Sequence, residues 1–136
     1  MSSDSLNGVL GQAARFASDY LIRGSLLPNN NTIQSAEYTF NNTLGKLRLV
    51  GTIDSNLVMA AANTLTVRLQ YKDSNGAWQN DVTMLISGAA TRPAGELFSF
   101  IPPPSDTKRV YRMEITTNFN AATTRLTAAV ELLPRV

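Results

Sequence analysis

The central part of the chain alternates between apolar and polar residues. Residues 65 to 86 read LTVRLQYKDSNGAWQNDVTMLI. The alternation puts one set of residues on one side of a strand (Leu65, Val67, Leu69 and Tyr71) and a second set on the other side (Thr66, Arg68, Gln70 and Lys72). This pattern predicts a strand with one buried and one solvated face. Asn75-Gly76 predicts a tight turn, and the apolar run from Val82 to Ile86 predicts the returning strand of a hairpin.

Further strands are predicted on both sides of this hairpin. Residues 46 to 53, 96 to 101, 108 to 119 and 125 to 133 all alternate, and prolines 102 to 104 end the second of these because they lack an amide hydrogen. In the first of these segments Leu47, Leu49, Gly51 and Ile53 alternate with Lys46, Arg48, Val50 and Thr52. In the last two the inward positions are predicted to be Tyr111, Met113, Ile115, Thr117, Leu126, Ala128, Val130 and Leu132. Residues 33 to 40 predict a short edge strand, and residues 57 to 62 a loop or a bulged connection. The whole pattern predicts an all-β fold, a β-sandwich or jelly roll, with Leu69, Met113 and Val130 in its core.

The N-terminal stretch has a different period. Between residues 5 and 23 apolar residues recur at the three-and-four spacing of an amphipathic helix, which Asp4 would cap and Gly24 would end. Such a helix either covers an open end of its own domain or forms an arm that packs on another chain. We therefore divide the chain into an N-terminal arm and linker, helical or extended, at residues 1–45, and a sandwich domain at residues 46–136. An intermolecular arm would make its capsid or oligomer contacts through Leu6, Leu10, Phe16, Tyr20 and Leu21.

Composition narrows the range of functions. The 136 residues include no histidine and no cysteine, and the net charge is +2. The usual general base, cysteine nucleophiles, disulfides and most zinc sites are therefore excluded, and we expect no enzyme activity, no catalytic residue, no metal and no cofactor. The basic residues are scattered, and no apolar run reaches the ~20 residues of a membrane span, so we expect neither nucleic-acid nor membrane binding. The N-terminus lacks the features of a secretory signal, which favours a cytosolic protein or a particle assembled there.

Two local patterns suggest chemistry, and each has a simpler interpretation. Residues 73 to 76 resemble half of a calcium loop but lack its closing glutamate, so they predict a turn. Four aromatic residues, Tyr71, Trp78, Tyr111 and Phe119, could form a platform on which sugars stack. Aromatic residues in strands are more often core or cross-strand partners. If the four rings do form such a platform, the alternative function is that of a carbohydrate-binding or tail-fibre-type adhesion domain.

Residues 61 to 70, AANTLTVRLQ, resemble the second core strand of the small capsid cement proteins of tailed bacteriophages, of the Bordetella-phage type. The similarity continues through the GELFSF strand at 95 to 100 with its following prolines. It also includes the basic-Val-Tyr-Arg strand at 109 to 112 and the closing LTAAV strand at 126 to 130. The matched region is residues 44 to 136.

This resemblance implies a jelly-roll protein that decorates the outside of a phage head. It would bridge neighbouring major capsid protein subunits after the shell expands, and it would associate with itself as a homodimer or homotrimer. The expected location is the outer capsid surface of the virion, after assembly in the host cytoplasm. Such a role is structural, and many repeated copies of a modest contact can stabilise a shell.

Overall fold

The computed structural model describes residues 15–39, 46–102, 110–121 and 123–133, and in these residues every regular element is a β-strand. The strands are β1 (Arg15–Leu26), β2 (Thr32–Gln34), β3 (Tyr38–Thr39), β4 (Lys46–Ile53), β5 (Leu57–Met59), β6 (Thr64–Lys72), β7 (Trp78–Ser87), β8 (Ala90–Arg92), β9 (Gly95–Phe100), β10 (Val110–Thr117) and β11 (Arg125–Leu133). The described residues contain no helix of the length and hydropathy needed to cross a membrane.

The strands form two antiparallel sheets and one small ribbon. One sheet has the order β1-β11-β4-β9, and the other has the order β2-β10-β6-β7, with β3 pairing to β10 as well. The ribbon joins β5 to β8. If β2 and β3 share one position and the ribbon is set aside, the orders become 1-8-3-6 and 2-7-4-5. This is the strand order of a jelly roll, as the sequence predicts.

The core lies between the two sheets and follows the two-residue period of the strands. Met113 lies opposite Leu69 in the β10–β6 pairing, and both side chains are completely buried. Val130 reaches the same core from the other sheet and is buried too. The predicted core positions of these three residues are confirmed. Pairing in this register sends every second residue of β6 and β10 to the outer face of the sheet.

Strand β4 departs from the predicted alternation at one position. Leu49 and Ile53, from one of the two alternating sets, are buried, and the ring of Phe98 occupies the space that a Cβ atom on Gly51 would need. Val50 belongs to the other set, yet it is only 3% exposed. It lies on the outer face of its sheet, opposite the buried Ala129 of β11. Part of this outer face is therefore shielded from solvent.

The helix predicted for residues 5 to 23 is wrong where the structure describes them, because Arg15–Leu26 is strand β1, paired with β11. The register of this pairing shifts at three places along β1. A bulge adds a residue and reverses the side on which the next residues lie, so a bulged strand can carry apolar residues at helix-like spacing. Gly24, predicted to end a helix, has a φ of +59° inside this irregular strand.

Part of the predicted intermolecular arm packs in the sandwich of its own chain. Leu21 and its neighbour Ile22 are buried in the core of their own domain. Phe16 belongs to β1, while Leu6 and Leu10 lie outside the described residues. Strands β1, β2 and β3 pair with β11 and β10, so residues 15–39 contribute to both sheets. For the remainder of residues 1–45 the division from the sandwich stays a prediction.

Two short predicted segments also take definite forms. The edge strand predicted for residues 33 to 40 is interrupted and gives β2 and β3. The loop or bulged connection predicted for residues 57 to 62 contains strand β5, whose Leu57 and Met59 are buried on either side of an exposed Val58. This alternation inside a three-residue strand leaves one apolar side chain directed away from the core.

Candidate functional site

Four connections meet at one end of the jelly roll, which we call the loop end: residues 27–31, 54–63, 88–94 and the described part of 118–124. Backbone hydrogen bonds join them in pairs. The amide of Leu27 donates to the carbonyl of Thr124 at 2.9 Å, and the amide of Gly88 donates to the carbonyl of Asn63 at 2.9 Å. A β-bridge joins Asn29 to Asn120. The loop end is therefore held by the same type of bond as the sheets.

Asparagine side chains complete this bonding. The Oδ1 atom of Asn118 accepts from the amide of Thr64 at 2.8 Å, and its Nδ2 atom donates to the carbonyl of Ala62 at 3.0 Å. The Oδ1 atom of Asn63 accepts from the amide of Ala60 at 2.7 Å. Asparagine is suited to this task because its side chain can both donate and accept. These polar groups satisfy the backbone of the loop end.

One part of the loop-end surface, formed by residues 58–62 and 89–94, is rich in exposed small and apolar residues and nearly uncharged. Val58 is 71% exposed, although both its neighbours are buried. The other exposed small or apolar residues are Ala60, Ala61, Ala62, Ala89, Ala90, Pro93 and Ala94. The two charged residues of the loop end are engaged: the Asp54 carboxylate accepts from the amide of Arg125 at 2.8 Å, and Arg92 donates to the carbonyl of Ser87 at 3.0 Å. Depletion of charge around exposed apolar residues is typical of protein-binding surfaces.

A second surface is the outer face of the sheet β2-β10-β6-β7, which we call the polar face. Arg112 donates from Nε to Oε1 of Gln70 at 2.7 Å, and Gln70 donates to Asn80 at 3.0 Å. In the next row Glu114 accepts from Gln34 at 3.0 Å and pairs with Arg68 at 3.5 Å. The sequence predicts the solvated positions of Arg68, Gln70, Arg112 and Glu114, and the structure brings them together.

One end of the polar face carries the single tryptophan. The guanidinium of Arg112 lies 4.3 Å from the centroid of the Trp78 ring, and the ammonium of Lys72 lies 5.3 Å from it. Lys72 also pairs with Glu37 at 3.2 Å. Cations within about 6 Å of an aromatic ring are attracted to its π-system. The charged side chains at this end of the polar face thus interact with neighbouring side chains.

The sugar platform predicted as an alternative does not form from the four aromatic residues. Tyr111 and Phe119 are buried in the core, and Tyr71 packs against it. Burial, with a smaller contribution from the charge of Asp81, raises the pKa of Tyr111 to about 12. Trp78, which is half-buried, is the one member of the four on the polar face.

Asp73 forms a turn, as the sequence predicts. Its carboxylate accepts from the amides of Asn75 and Ala77, both at 2.9 Å, and from Nε2 of Gln79 at 3.0 Å. The bond from Ala77 contributes most to lowering the pKa of Asp73, and the bond from Gln79 contributes next. Gly76 supplies the positive φ of +81° that this turn needs. Within the described ranges, no three histidine, cysteine, aspartate or glutamate side chains group as metal ligands would.

The residues predicted as contacts and the residues at the loop end do not coincide. Of the predicted set, Leu21 is buried, and Tyr20 is half-buried with the Arg23 guanidinium 4.7 Å from its ring centroid. Sequence reasoning missed Val58 as a candidate contact. The sequence does show a stretch of small apolar residues from residue 57 to 62. Which of these residues are exposed becomes clear only from the positions of the neighbouring connections in the fold.

Comparisons with known proteins assign the chain to no family. No protein-family model matches it, and no curated protein sequence matches it. Among solved structures, PirA is similar with a TM-score of 0.45 and 11% identity, covering 83% of this chain and 94% of PirA. Empty particles of cowpea mosaic virus give a TM-score of 0.44 and 10% identity, covering 85% of both chains. A family 16 carbohydrate-binding module gives a TM-score of 0.36 and 11% identity, covering 90% of this chain and 92% of the module. Identities this low do not distinguish between the functions of these proteins.

Proposed function

We propose that this protein is a structural virion protein that binds the outer surface of a phage head and bridges neighbouring major capsid protein subunits. The observation that carries the proposal is the apolar and nearly uncharged part of the loop end, residues 58–62 and 89–94, on a hydrogen-bonded framework. The resemblance of residues 44 to 136 to phage cement proteins supports the same role.

The physical reason is the low cost of covering such a surface. Burying a polar group without a partner costs free energy, but the side chains of Asn63 and Asn118, next to the exposed alanines, already bond to the backbone. Apolar area that leaves water contributes about 25 cal/mol per Å². Loops that are ordered before binding lose less conformational entropy when they bind. A partner can therefore cover Val58 and the surrounding alanines without having to compensate for buried charge.

The alternative, carbohydrate binding, has less support. Sugar-binding sites need exposed aromatic rings, and Trp78 is half-buried beside Arg112 and Lys72. The polar groups of the surrounding face bond to one another, so a sugar hydroxyl would have to displace an existing bond.

Co-sedimentation with capsids tests the proposal. Purified protein is mixed with expanded heads that lack it, and the pellet is compared with that from unexpanded proheads. The proposal predicts saturable binding to expanded heads and an increase in the temperature at which those heads disrupt. Absence of binding, together with specific retention on a glycan array, would replace the capsid role with the carbohydrate alternative.

A further inference from the structure

The sheet that carries the polar face ends at β7. In the part of the chain that the structure describes, β7 pairs with β6 on one side and with no strand on the other. An unpaired strand edge presents a row of free amide and carbonyl groups, which another strand can join. Most proteins protect such edges with charges, prolines, bulges or very short strands.

The other edges of the two sheets carry such protection. β2 and β3 have three and two residues. β1 pairs irregularly along its length, with register shifts at three places. β9 has a register shift between Phe98 and Glu96, and Glu96 adds a charge. Each of these edges is therefore a poor template for another strand.

The segment of β7 from Val82 to Ser87, VTMLIS, has none of these devices. It contains no charge, no proline and no glycine, and its pairing with β6 is regular. The bulge of β7 comes before it, where Leu69 faces Val82 and Gln70 faces Asn80. Leu85 is 61% exposed on this edge strand. Short uncharged segments of high β-propensity are those most prone to strand addition.

We propose that β7 pairs antiparallel with β7 of a second copy of this chain across a two-fold axis, so that two sheets become one. The segment is complementary to itself when Met84 faces Met84 of the second copy. In this register Leu85 faces Thr83 on the outer side, and Val82 faces Ile86 on the core side. The two-fold pairing extends both cores, because Val82 and Met84 are partly buried residues that pack against the core of their own copy.

The uncharged segment from residue 82 to 87 favours a second copy as the occupant, because each of its residues then faces an uncharged residue of the same segment or, at Ser87, an aspartate. Asp81 is the one charged residue of β7, and in this register it faces Ser87 rather than another Asp81. Like charges therefore do not meet across the two-fold axis, and the apolar residues of each copy face uncharged residues. The inference does not depend on the capsid role, because it uses the sheet edge rather than the loop end.

Sedimentation velocity of the full chain over a range of concentrations up to about 0.5 mM tests this pairing. We expect a dimer in the wild type. The double variant Thr83→Glu/Leu85→Glu places like charges opposite each other and should be monomeric. The double variant Thr83→Glu/Leu85→Lys places opposite charges across the same pairs and should restore the dimer. Thr52→Glu, on the exposed face of a central strand of the other sheet, is the control and should leave the dimer unchanged.

Hydrogen exchange on the wild type provides a second readout that does not require any variant to fold. The amides of residues 82–87 should be protected more strongly as dimer forms with rising concentration. A wild-type monomer throughout the concentration range would overturn the proposal. A dimer that persists in the Thr83→Glu/Leu85→Glu variant would also overturn it. The same holds if dimer formation increases protection from hydrogen exchange in other segments and not in β7.

Discussion

The loop end and the polar face are both exposed, but they use their polar residues differently. On the polar face the side chains bond to one another, as Arg112 does with Gln70 and Glu114 with Gln34. In the part of the loop end around Val58 the asparagine side chains bond to the backbone, as Asn118 does with Thr64 and Ala62. The first arrangement leaves charged groups at the surface, and the second leaves Val58 and several alanines there.

This difference bears on which surface a protein partner would use. A partner on the polar face would have to remove water from its ion pairs. Removing that water costs free energy, and the attraction between the paired charges offsets little of this cost. A partner at the loop end would cover Val58 and alanines at little electrostatic cost. Rigidity favours the loop end as well, because its loops are joined by hydrogen bonds before any partner arrives.

The largest expected effect is on the core beneath the polar face. Leu69 is completely buried, so Leu69→Ala should lower the free energy of unfolding by about 2–5 kcal/mol. Val58→Ala, at the loop end, should change it by less than about 0.5 kcal/mol, since the side chain is largely in solvent. Urea unfolding followed by circular dichroism measures both. Equal losses in the two variants would mean that Val58 has a structural task, and the contrast between core and loop end would fail.

The next effect concerns the framework of the loop end. Asn118→Ala removes the two bonds to Thr64 and Ala62, and a typical hydrogen bond contributes about 0.5–1.5 kcal/mol, so the loss should be about 1–3 kcal/mol. We also expect faster hydrogen exchange in residues 60–64 and weaker capsid binding. Asn118→Asp keeps the acceptor but loses the donor, so it should fall between wild type and Asn118→Ala. Unchanged exchange in residues 60–64 would show that the loop end does not depend on this side chain.

A smaller effect is expected on the polar face. Glu114→Gln removes the charge that faces Arg68 in a partly buried pair at the sheet surface, and surface ion pairs are typically worth about 1 kcal/mol or less. The difference in unfolding temperature between this variant and wild type should therefore be nearly the same at low and at high salt. Capsid binding should be unaffected. A strong loss of binding in Glu114→Gln would transfer the docking surface to the polar face.

The smallest effect is a dependence of stability on pH at the turn opposite the loop end. Hydrogen bonds lower the pKa of Asp73 below its ordinary value of 3.8, so the folded protein binds this proton less readily than the unfolded chain. The ionised Asp73 therefore stabilises the fold at pH values above 3.8, and this stabilisation is lost as the pH falls through the lowered pKa of the folded protein. Asp73→Asn retains an oxygen that can accept the backbone bonds but does not titrate. Wild type should lose more stability than Asp73→Asn on acidification below about pH 4, and parallel losses would contradict the assignment.

The sequence predicts the fold best where the strands are regular. In β6 and β10 the two-residue period is unbroken, so both the core and the polar face follow from it. In β1 the bulges alter the period, and the same apolar residues fit a helix until the pairing with β11 is known. Helix-like spacing in a short segment is therefore an ambiguous signal, and here the tertiary pairing decides it.

The loop end could not be predicted in the same way. Its surface depends on residues 54–63, 88–94 and 118–124 meeting through bonds between distant segments, such as Asn118 with Ala62. The pattern of apolar and polar residues does not indicate that Val58 is exposed, because its buried neighbours Leu57 and Met59 are apolar as well. The free edge of β7 likewise depends on strand order, which the alternation of apolar residues does not reveal.

The most direct test of the account measures the affinity of two variants for expanded heads. Val58→Glu introduces a charge at the centre of the loop end, and Ser74→Glu introduces the same charge in the exposed turn at the opposite end of β6. We expect Val58→Glu to bind more weakly by at least about tenfold, or about 1.4 kcal/mol, while Ser74→Glu binds as wild type does. Wild-type affinity in a correctly folded Val58→Glu variant would contradict the assignment of the loop end as the capsid-binding surface.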